Sequence, residues 1–244
     1  MPPNKDHVNP EKCTKDCSTE ISVDPSLKWR DFNQKHKRSD GSEIPSCIFS
    51  STMENDNRNM TVNSSLKIAA FDWDWTLIKT VDGRLFDDSE STAEVTWLYD
   101  CIPHKLRQLY KDGFTIAIFS NQPGIEKRTT TIEEVKQRID DVINSLGVPV
   151  NVFISTGYNA CRKPSPDMWK IFLEHFTSSV SQVDMKESFF VGDSAGRLAD
   201  WSPGKPADFH CGDRQFAANV GIDFHTPEEF FLQEDSAPFQ WEKV

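Results

Sequence analysis

Leu66-Lys67-Ile68-Ala69-Ala70-Phe71-Asp72-Trp73-Asp74-Trp75-Thr76 is the stretch of sequence that indicates the fold. Its first six residues are mostly apolar, which is typical of a buried strand, and acidic residues follow directly. Asp72 and Asp74 are two positions apart, so in an extended segment both carboxylates point to the same side. The stretch therefore predicts a buried strand that delivers two carboxylates to one edge of a sheet.

Downstream of this strand, apolar runs predict strands that alternate with helices. Thr131 and Glu134 are spaced as a capping box, and the apolar stripe of the helix they begin runs to Leu146, before Gly147. Other helices are predicted over 102–111 and around 168–176. Further strands are predicted over 115–120, 150–154 and 189–191. Such alternation predicts an α/β domain of three layers with a mainly parallel sheet.

Polar residues of a few chemical types follow the ends of these predicted strands. They are Asp72, Asp74, Ser120, Asn121, Lys163 (one loop later) and Asp193. Ligands gather beyond the carboxyl ends of parallel strands, so these side chains are expected to converge. Paired carboxylates favour a cation such as Mg²⁺ between them. One carboxylate can attack phosphorus as a nucleophile, while its neighbour transfers protons.

Each of these signals has a plain structural alternative when it is taken alone. A bare Asp-x-Asp is more often a solvated acidic turn, and Ser120 fits an ordinary turn. Lys163 fits a surface lysine, whereas in a site it supplies positive charge to a transition state. Asp193 fits a helix N-cap. The joint pattern, in one chain order and at successive strand ends, favours a site for phosphoryl transfer.

Composition limits the remaining classes of function. The net charge of −11 argues against a protein that coats DNA generally, although a local basic groove remains compatible with it. Because no stretch of about 18 apolar residues exists, we expect no membrane contact. Residues 1–10 lack the apolar core of a secretory signal, so an intracellular protein is expected. We predict a polar, largely disordered leader (residues 1–65, with some order around Leu27, Trp29 and Phe32), a folded domain (66–232) and a C-terminal tail (233–244).

The order of these motifs resembles that of the haloacid-dehalogenase superfamily. Longer runs narrow the resemblance to its polynucleotide 3′-phosphatase branch. They include Ser120-Asn121-Gln122-x-Gly124-Ile125, Arg162-Lys163-Pro164, Phe190 to Arg197, Cys211-x-Asp213-Arg214 and Thr226 to Phe231. The resemblance covers roughly residues 66–232. It implies a haloacid-dehalogenase-like fold with a minimal cap and removal of 3′-phosphates from broken DNA strands. It also implies a nuclear location and repair proteins as partners through the leader.

The resemblance implies a role for each site residue. Asp72 is the expected nucleophile and Asp74 the general acid and base. Mg²⁺ is expected on the carboxylates of Asp72 and Asp193 and on the backbone carbonyl of Asp74. Ser120 and Lys163 are expected to stabilise the transferring phosphoryl group. The remaining expected substrate contacts are Thr76, Asn121, Lys127, Arg128 and Arg162. Asp213 and Arg214 are predicted to form a structural ion pair, with support of Asp193 as the alternative role, and His210 is predicted to be a packing residue.

The sequence departs from the family pattern in three places. Trp75 stands where the superfamily usually has glycine. Glu126-Lys127-Arg128 stands where relatives often carry arginine after Gly-Ile-Gly, and Lys127 cannot form the bidentate fork of arginine. The G-x₄-G-K-[ST] signature of a kinase domain does not occur. A phosphatase without the kinase, or a truncated product, is the expectation.

Two alternatives remain open beside a DNA 3′-phosphatase. One is a small-molecule phosphatase on the same scaffold, and the other is an inactive module that binds DNA ends. The short interval from Asp74 to Ser120 leaves no room for a large cap. We predict a small flap over residues 77–86, turning at Asp82-Gly83. The predicted site is open, with a basic rim of Arg84, Lys127, Arg128 and Arg162.

Overall fold

The fold is seen in a computed structural model that describes residues 27–32, 34–51, 65–83, 94–176 and 182–241. The strands are β1 (Trp29–Asp31), β2 (Lys35–Lys37), β3 (Glu43–Pro45), β4 (Cys47–Ser51), β5 (Ser65–Phe71), β6 (Ile78–Thr80), β7 (Val95–Trp97), β8 (Phe114–Asn121), β9 (Val150–Ser155), β10 (Gln182–Val183), β11 (Phe189–Val191) and β12 (Asp223–His225). The helices are α1 (Ile102–Lys111), α2 (Gly124–Lys127), α3 (Ile132–Ile143), α4 (Asp167–Phe176), α5 (Gly212–Val220) and a π-helix, Glu228–Leu232.

The central sheet has the strand order β1-β4-β9-β8-β5-β11-β12, and β10 pairs with the start of β5. Strands β9, β8, β5, β11 and β12 are parallel to one another. Strand β4 is antiparallel to β9, and β1 is antiparallel to β4. The parallel arrangement brings the carboxyl ends of β5, β8 and β11 to one edge. This edge is where the sequence places the candidate site.

Helices cover both faces of the sheet, because alternate residues of each strand point to opposite sides. Ala69 and Phe71 pack with α1 and α3 in one apolar cluster. Ile68 and Ala70 pack with α4 and α5 in another. The predicted three-layer α/β architecture is confirmed. Within the described ranges, the longest helix has 12 residues, and none has the length and apolarity to cross a bilayer.

The predicted elements agree with the structure except at some boundaries. Thr131 and Glu134 form the predicted capping box through reciprocal hydrogen bonds. However, α3 ends at Ile143 rather than near Gly147, and buried Leu146 lies in the turn that follows. The predicted flap is also wrong in extent, since β6 pairs with β7 rather than with residues before Phe86. Arg84 and Phe86 lie outside the described residues.

The leader predicted over residues 1–65 includes a stretch that belongs to the sheet. Strand β4 pairs with β9 along its whole length, and Cys47, Ile48, Phe49 and Ser50 are buried. Strands β2 and β3 form a hairpin just before it. The order expected around Leu27, Trp29 and Phe32 agrees with β1 and its packing, whereas the leader prediction is wrong for residues 34–51. Residues 1–26 and 52–64 were assigned to the same leader and lie outside the described residues.

Candidate active site

The site is a cavity of about 150 Å³ at the carboxyl edge of the sheet. Its lining residues are Asp72, Asp74, Asn121, Pro123, Arg162, Lys163, Ser194, His210, Gly212 and Asp213. Cavities that enclose whole small ligands typically measure about 300–1,000 Å³. The cavity therefore suits a phosphoryl group, and the rest of a larger substrate has to lie outside it.

Lys163 is the central positive charge of the site. Its buried ammonium group donates to Oδ1 of Asp72 and to Oδ1 of Asp213, each at 2.6 Å. Burial lowers the pKa of Lys163, but the two carboxylates outweigh this effect and hold that pKa above its usual value. Lys163 is therefore charged and fixed beside the predicted nucleophile, as the sequence predicts.

Asn121 fixes the backbone of Lys163. Its side-chain amide donates to the Lys163 carbonyl at 3.1 Å, and its carbonyl oxygen accepts from the Lys163 N–H at 2.9 Å. These two bonds join the end of β8 to a loop 42 residues further along the chain. Asn121 also lines the cavity, which is compatible with the predicted substrate contact.

Asp74, Ser120 and Gln122 form a second hydrogen-bonded group. The Gln122 side-chain amide donates to Oδ2 of Asp74 at 2.6 Å and to the Ser120 hydroxyl at 3.0 Å. Oδ1 of Asp74 is buried and has no hydrogen-bond partner within the described part of the chain. Burial raises the pKa of Asp74, opposed by Arg138 and by the Gln122 hydrogen bond. Asp74 also lines the cavity, so this carboxyl group borders the space that a bound group would occupy.

Asp72, Asp193 and Asp213 form a cluster that suits a divalent cation. Each offers one carboxylate oxygen, and these oxygens lie within 4.8 Å of one another. Burial raises the pKa of Asp72 to about 7, with Lys163 opposing the rise and Asp213 and Asp74 adding to it. Burial, followed by Asp213 and Asp72, raises the pKa of Asp193 well above its usual value. A divalent cation would oppose these shifts by favouring the charged carboxylates, and oxygen ligands of this type suit Mg²⁺.

The loop of Asp193 is held by buried contacts. The Asp193 N–H donates to the Thr76 hydroxyl at 3.0 Å, and Arg197 donates to the Asp193 carbonyl at 3.1 Å. Arg197 also forms ion pairs with Asp208 at 2.8 Å and Glu228 at 2.7 Å. Thr76, predicted as a substrate contact, is fully buried behind Asp193. Its geometry supports positioning of Asp193 rather than contact with substrate.

Lys127 and Arg128 lie outside the cavity lining, although the sequence predicts them as substrate contacts. Arg128 has a positive φ of 62° at the C-terminal end of α2, and its guanidinium pairs with Asp40. Arg162 does line the cavity, and its buried Nη1 has no hydrogen-bond partner among the described residues. The structure therefore brings Arg162 to the site and turns Arg128 towards the hairpin of β2 and β3.

Asp213 and His210 lie closer to the reacting groups than the sequence predicts. Asp213 pairs with Lys163 and accepts from the Ser194 N–H at 3.1 Å, so the predicted ion pair with Arg214 is wrong, whereas the alternative role in supporting Asp193 is compatible with this geometry. One available signal was its place on the apolar face of α5, three and four residues before buried Phe216 and Ala217. His210, predicted as a packing residue, lines the cavity. We find no local sequence signal that marks His210.

Trp75 has a φ of 57°, in the left-handed region that favours glycine. This conformation explains why a glycine suits the corresponding position of the superfamily. The Trp75 N–H donates to the Ile78 carbonyl at 2.8 Å, which closes the turn between Asp74 and β6. Trp75 is not among the residues that line the cavity.

The sheet order and the acidic site define a haloacid-dehalogenase-like phosphatase fold. A putative phosphatase of this type from Mesorhizobium loti has a similar solved structure, with a TM-score of 0.51 and 16% identity, covering 73% of this chain and 78% of that one. A sequence model described as polynucleotide kinase 3 phosphatase matches residues 67–231. The chain belongs to this polynucleotide kinase 3 phosphatase family.

Two curated relatives show how similar the sequence of this chain is to known polynucleotide phosphatases. The bifunctional polynucleotide phosphatase/kinase of Schizosaccharomyces pombe is 37% identical over 176 residues, which are 72% of this chain and 40% of that protein. The polynucleotide 3′-phosphatase of Arabidopsis thaliana is 31% identical over 235 residues, which are 91% of this chain and 32% of that protein. The chain thus spans well under half the length of either relative.

Proposed function

We propose that this protein is a Mg²⁺-dependent phosphatase that removes 3′-phosphates from DNA strand ends, as a step of DNA repair in the nucleus. The observation that carries the proposal is the convergence of Asp72, Asp74, Lys163 and Asp213 on one small cavity, in a chain that matches the family over residues 67–231. The names of the two curated relatives support the polynucleotide substrate.

Asp72 is the proposed nucleophile. Its carboxylate attacks the phosphorus atom, a bond forms between Oδ and phosphorus, and the bond from phosphorus to the 3′ oxygen breaks. The Lys163 ammonium, 2.6 Å from Asp72, stabilises the negative charge on the transferring group. Arg162, with its unpartnered Nη1, is the second cation available to a phosphoryl oxygen.

Asp74 is the proposed general acid and base. Its free Oδ1 gives a proton to the departing 3′ oxygen and later takes one from the water that hydrolyses the aspartyl-phosphate. Gln122 orients the carboxyl group through the other oxygen. The Ser120 hydroxyl accepts a hydrogen bond from the same Gln122 amide, so Ser120 is expected to act through its contact with Gln122.

The residues present fit Mg²⁺. Hydrogen bonds from Lys163 and Ser194 account for both oxygens of Asp213. We therefore assign the metal to the carboxylates of Asp72 and Asp193, with the backbone carbonyl of Asp74. When bound, the ion neutralises the excess negative charge of the cluster and draws the substrate phosphate towards Asp72.

Phosphate release from several esters tests this proposal. Purified protein with Mg²⁺ is expected to hydrolyse a 3′-phosphorylated oligonucleotide in preference to a 5′-phosphorylated one and to sugar phosphates. Asp72→Asn is expected to reduce release to background and to remain folded, because an amide cannot form the acyl-phosphate. Asp167→Asn is the matched control, because within the described part of the chain the Asp167 carboxylate pairs with exposed Lys170 and does not line the cavity. Preference for a sugar phosphate would support a small-molecule phosphatase, and no turnover would support a binding module.

A further inference from the structure

An exposed aromatic ring lies beside Arg162, a residue that lines the cavity. Tyr158 follows β9, and its side chain is 61% exposed. The guanidinium carbon of Arg162 lies 4.6 Å from the centre of this ring, and Nζ of Lys127 lies 5.7 Å from it. Because Arg162 also lines the cavity, the ring is one side chain away from the reacting phosphate.

The hairpin of β2 and β3 lies beside this ring and outside the residues that match the family. Arg38 of the hairpin donates to the Ile125 carbonyl at 3.0 Å, and His36 lies 3.8 Å from the Glu126 carboxylate. The Tyr158 N–H donates to the same carboxylate at 2.6 Å. Glu126 thus joins the hairpin to the loop that presents Tyr158.

The surface made by the hairpin, α2 and the Tyr158 loop is basic in a chain whose net charge is −11. Its basic residues are Arg38, Lys127, Arg128 and Arg162, and its acidic residues are Asp40 and Glu126. Lys35 and Lys37 alternate with His36 along β2, so their side chains point to the other face of the hairpin. Local positive charge beside an exposed aromatic ring is the combination that binds single-stranded nucleic acid.

We infer that this surface binds the nucleotides that precede the 3′ end of the substrate strand. One base stacks on Tyr158, and a backbone phosphate beyond it contacts Lys127. The inference rests on the proposed function, because it requires a polynucleotide substrate. It assigns strand binding to Tyr158 and Lys127, which lie apart from the catalytic cluster.

Substitution of Tyr158 separates stacking from catalysis. The probes are a 3′-phosphorylated oligothymidylate and para-nitrophenyl phosphate, a small ester. Base stacking on an aromatic ring contributes about 1–3 kcal/mol, so Tyr158→Ala is expected to raise KM for the oligonucleotide about 5- to 150-fold. Turnover of the small ester should not change, and Tyr158→Phe should behave as the unaltered protein. Equal losses on both substrates would overturn the inference, since Tyr158 would then only support Arg162.

Removal of the Lys127 charge tests the phosphate contact. Lys127→Ala is expected to reduce the slope of log KM for the oligonucleotide against log salt concentration by about 0.7, the value for one contact to a single strand. The matched control is Lys111→Ala, because this exposed lysine lies near the amino end of β8. An unchanged salt slope in Lys127→Ala would overturn the assignment.

The two proposals fail in different ways. If the unaltered protein hydrolyses the small ester but not the oligonucleotide, then the proposed DNA substrate is wrong, and the inference fails with it. If the oligonucleotide is a good substrate and neither Tyr158→Ala nor Lys127→Ala changes its KM, then only the inference is overturned.

Discussion

Replacement of Asp213 by asparagine tests the ion pairs that hold Lys163. The change preserves the shape of the side chain and leaves an oxygen to accept from the Ser194 N–H, but it removes one charge. Two unit charges 2.6 Å apart attract by about 6 kcal/mol at an effective dielectric constant of about 20. This gross attraction is what the variant loses.

The variant also loses the repulsion between Asp213 and the other carboxylates of the cluster, which offsets part of the lost attraction. Asp213 lies within 4.8 Å of oxygens of Asp72 and Asp193, and charged groups at that separation repel by about 3.5 kcal/mol at the same dielectric constant. However, burial raises the pKa of Asp72 to about 7 and that of Asp193 well above its usual value. In the absence of metal, the raised pKa of Asp72 leaves part of that carboxyl group protonated near pH 7, which relieves part of the repulsion, so the attraction at 2.6 Å outweighs what remains.

We expect Asp213→Asn to lower the free energy of unfolding by about 3–5 kcal/mol, the usual cost of breaking a buried ion pair. Urea denaturation in EDTA measures this change. We also expect kcat to fall about 10²- to 10³-fold, because Lys163 loses its fixed position. Asp167→Asn removes a surface pair at a similar distance of 2.7 Å and should cost at most about 1 kcal/mol. Equal stability changes in the two variants would refute the reasoning.

Three further predictions concern the same region. In EDTA, the thermal midpoint should fall as pH rises from about 4 to 7, because the folded pKa of Asp72 is about 7 against a reference of 3.8 and folding stability is lost with its proton. Mg²⁺ should reverse this fall, and the same slope with and without Mg²⁺ would count against the metal assignment. Gly192→Ala should destabilise the protein by about 1–3 kcal/mol and lower kcat, since the added Cβ would lie 2.5–2.6 Å from atoms of Asp213. Trp75→Gly should relieve about 1–2 kcal/mol of backbone strain, because the φ of Trp75 is 57°. A large fall in the thermal midpoint would indicate that the contacts of the Trp75 ring outweigh this strain.

The parallel core was predictable because its signals are local. The apolar run before Asp72 and the capping box at Thr131 each span only a few residues, so the local sequence pattern is enough to assign the strand and the start of the helix. Strand β4 was missed because Cys47–Ser51 is short and its partner β9 lies about a hundred residues away. Pairing across such a distance leaves no periodic signal in the strand itself.

The candidate site was predictable to the extent that its residues follow strand ends. Asp72, Asp74 and Lys163 meet at the cavity as the sequence predicts. Asp213 is different, because it lies in the first turn of α5 and meets Lys163 only through packing of that helix on the sheet. An acidic residue on an apolar helix face needs a buried cation, but the sequence does not say which one.

The basic rim shows why substrate contacts are harder to predict than chemistry. Arg128 was expected at the phosphate, yet its left-handed backbone at the end of α2 directs its guanidinium to Asp40 of the hairpin. That position usually takes glycine or asparagine, so the sequence gives no warning of the turn. Contact with the hairpin thus determines which cationic side chains at the end of α2 face the DNA strand. The sheet determines the positions of the catalytic carboxylates and of Lys163. Relatives that differ in this hairpin should therefore share the chemistry of Asp72 and differ in how they hold the strand.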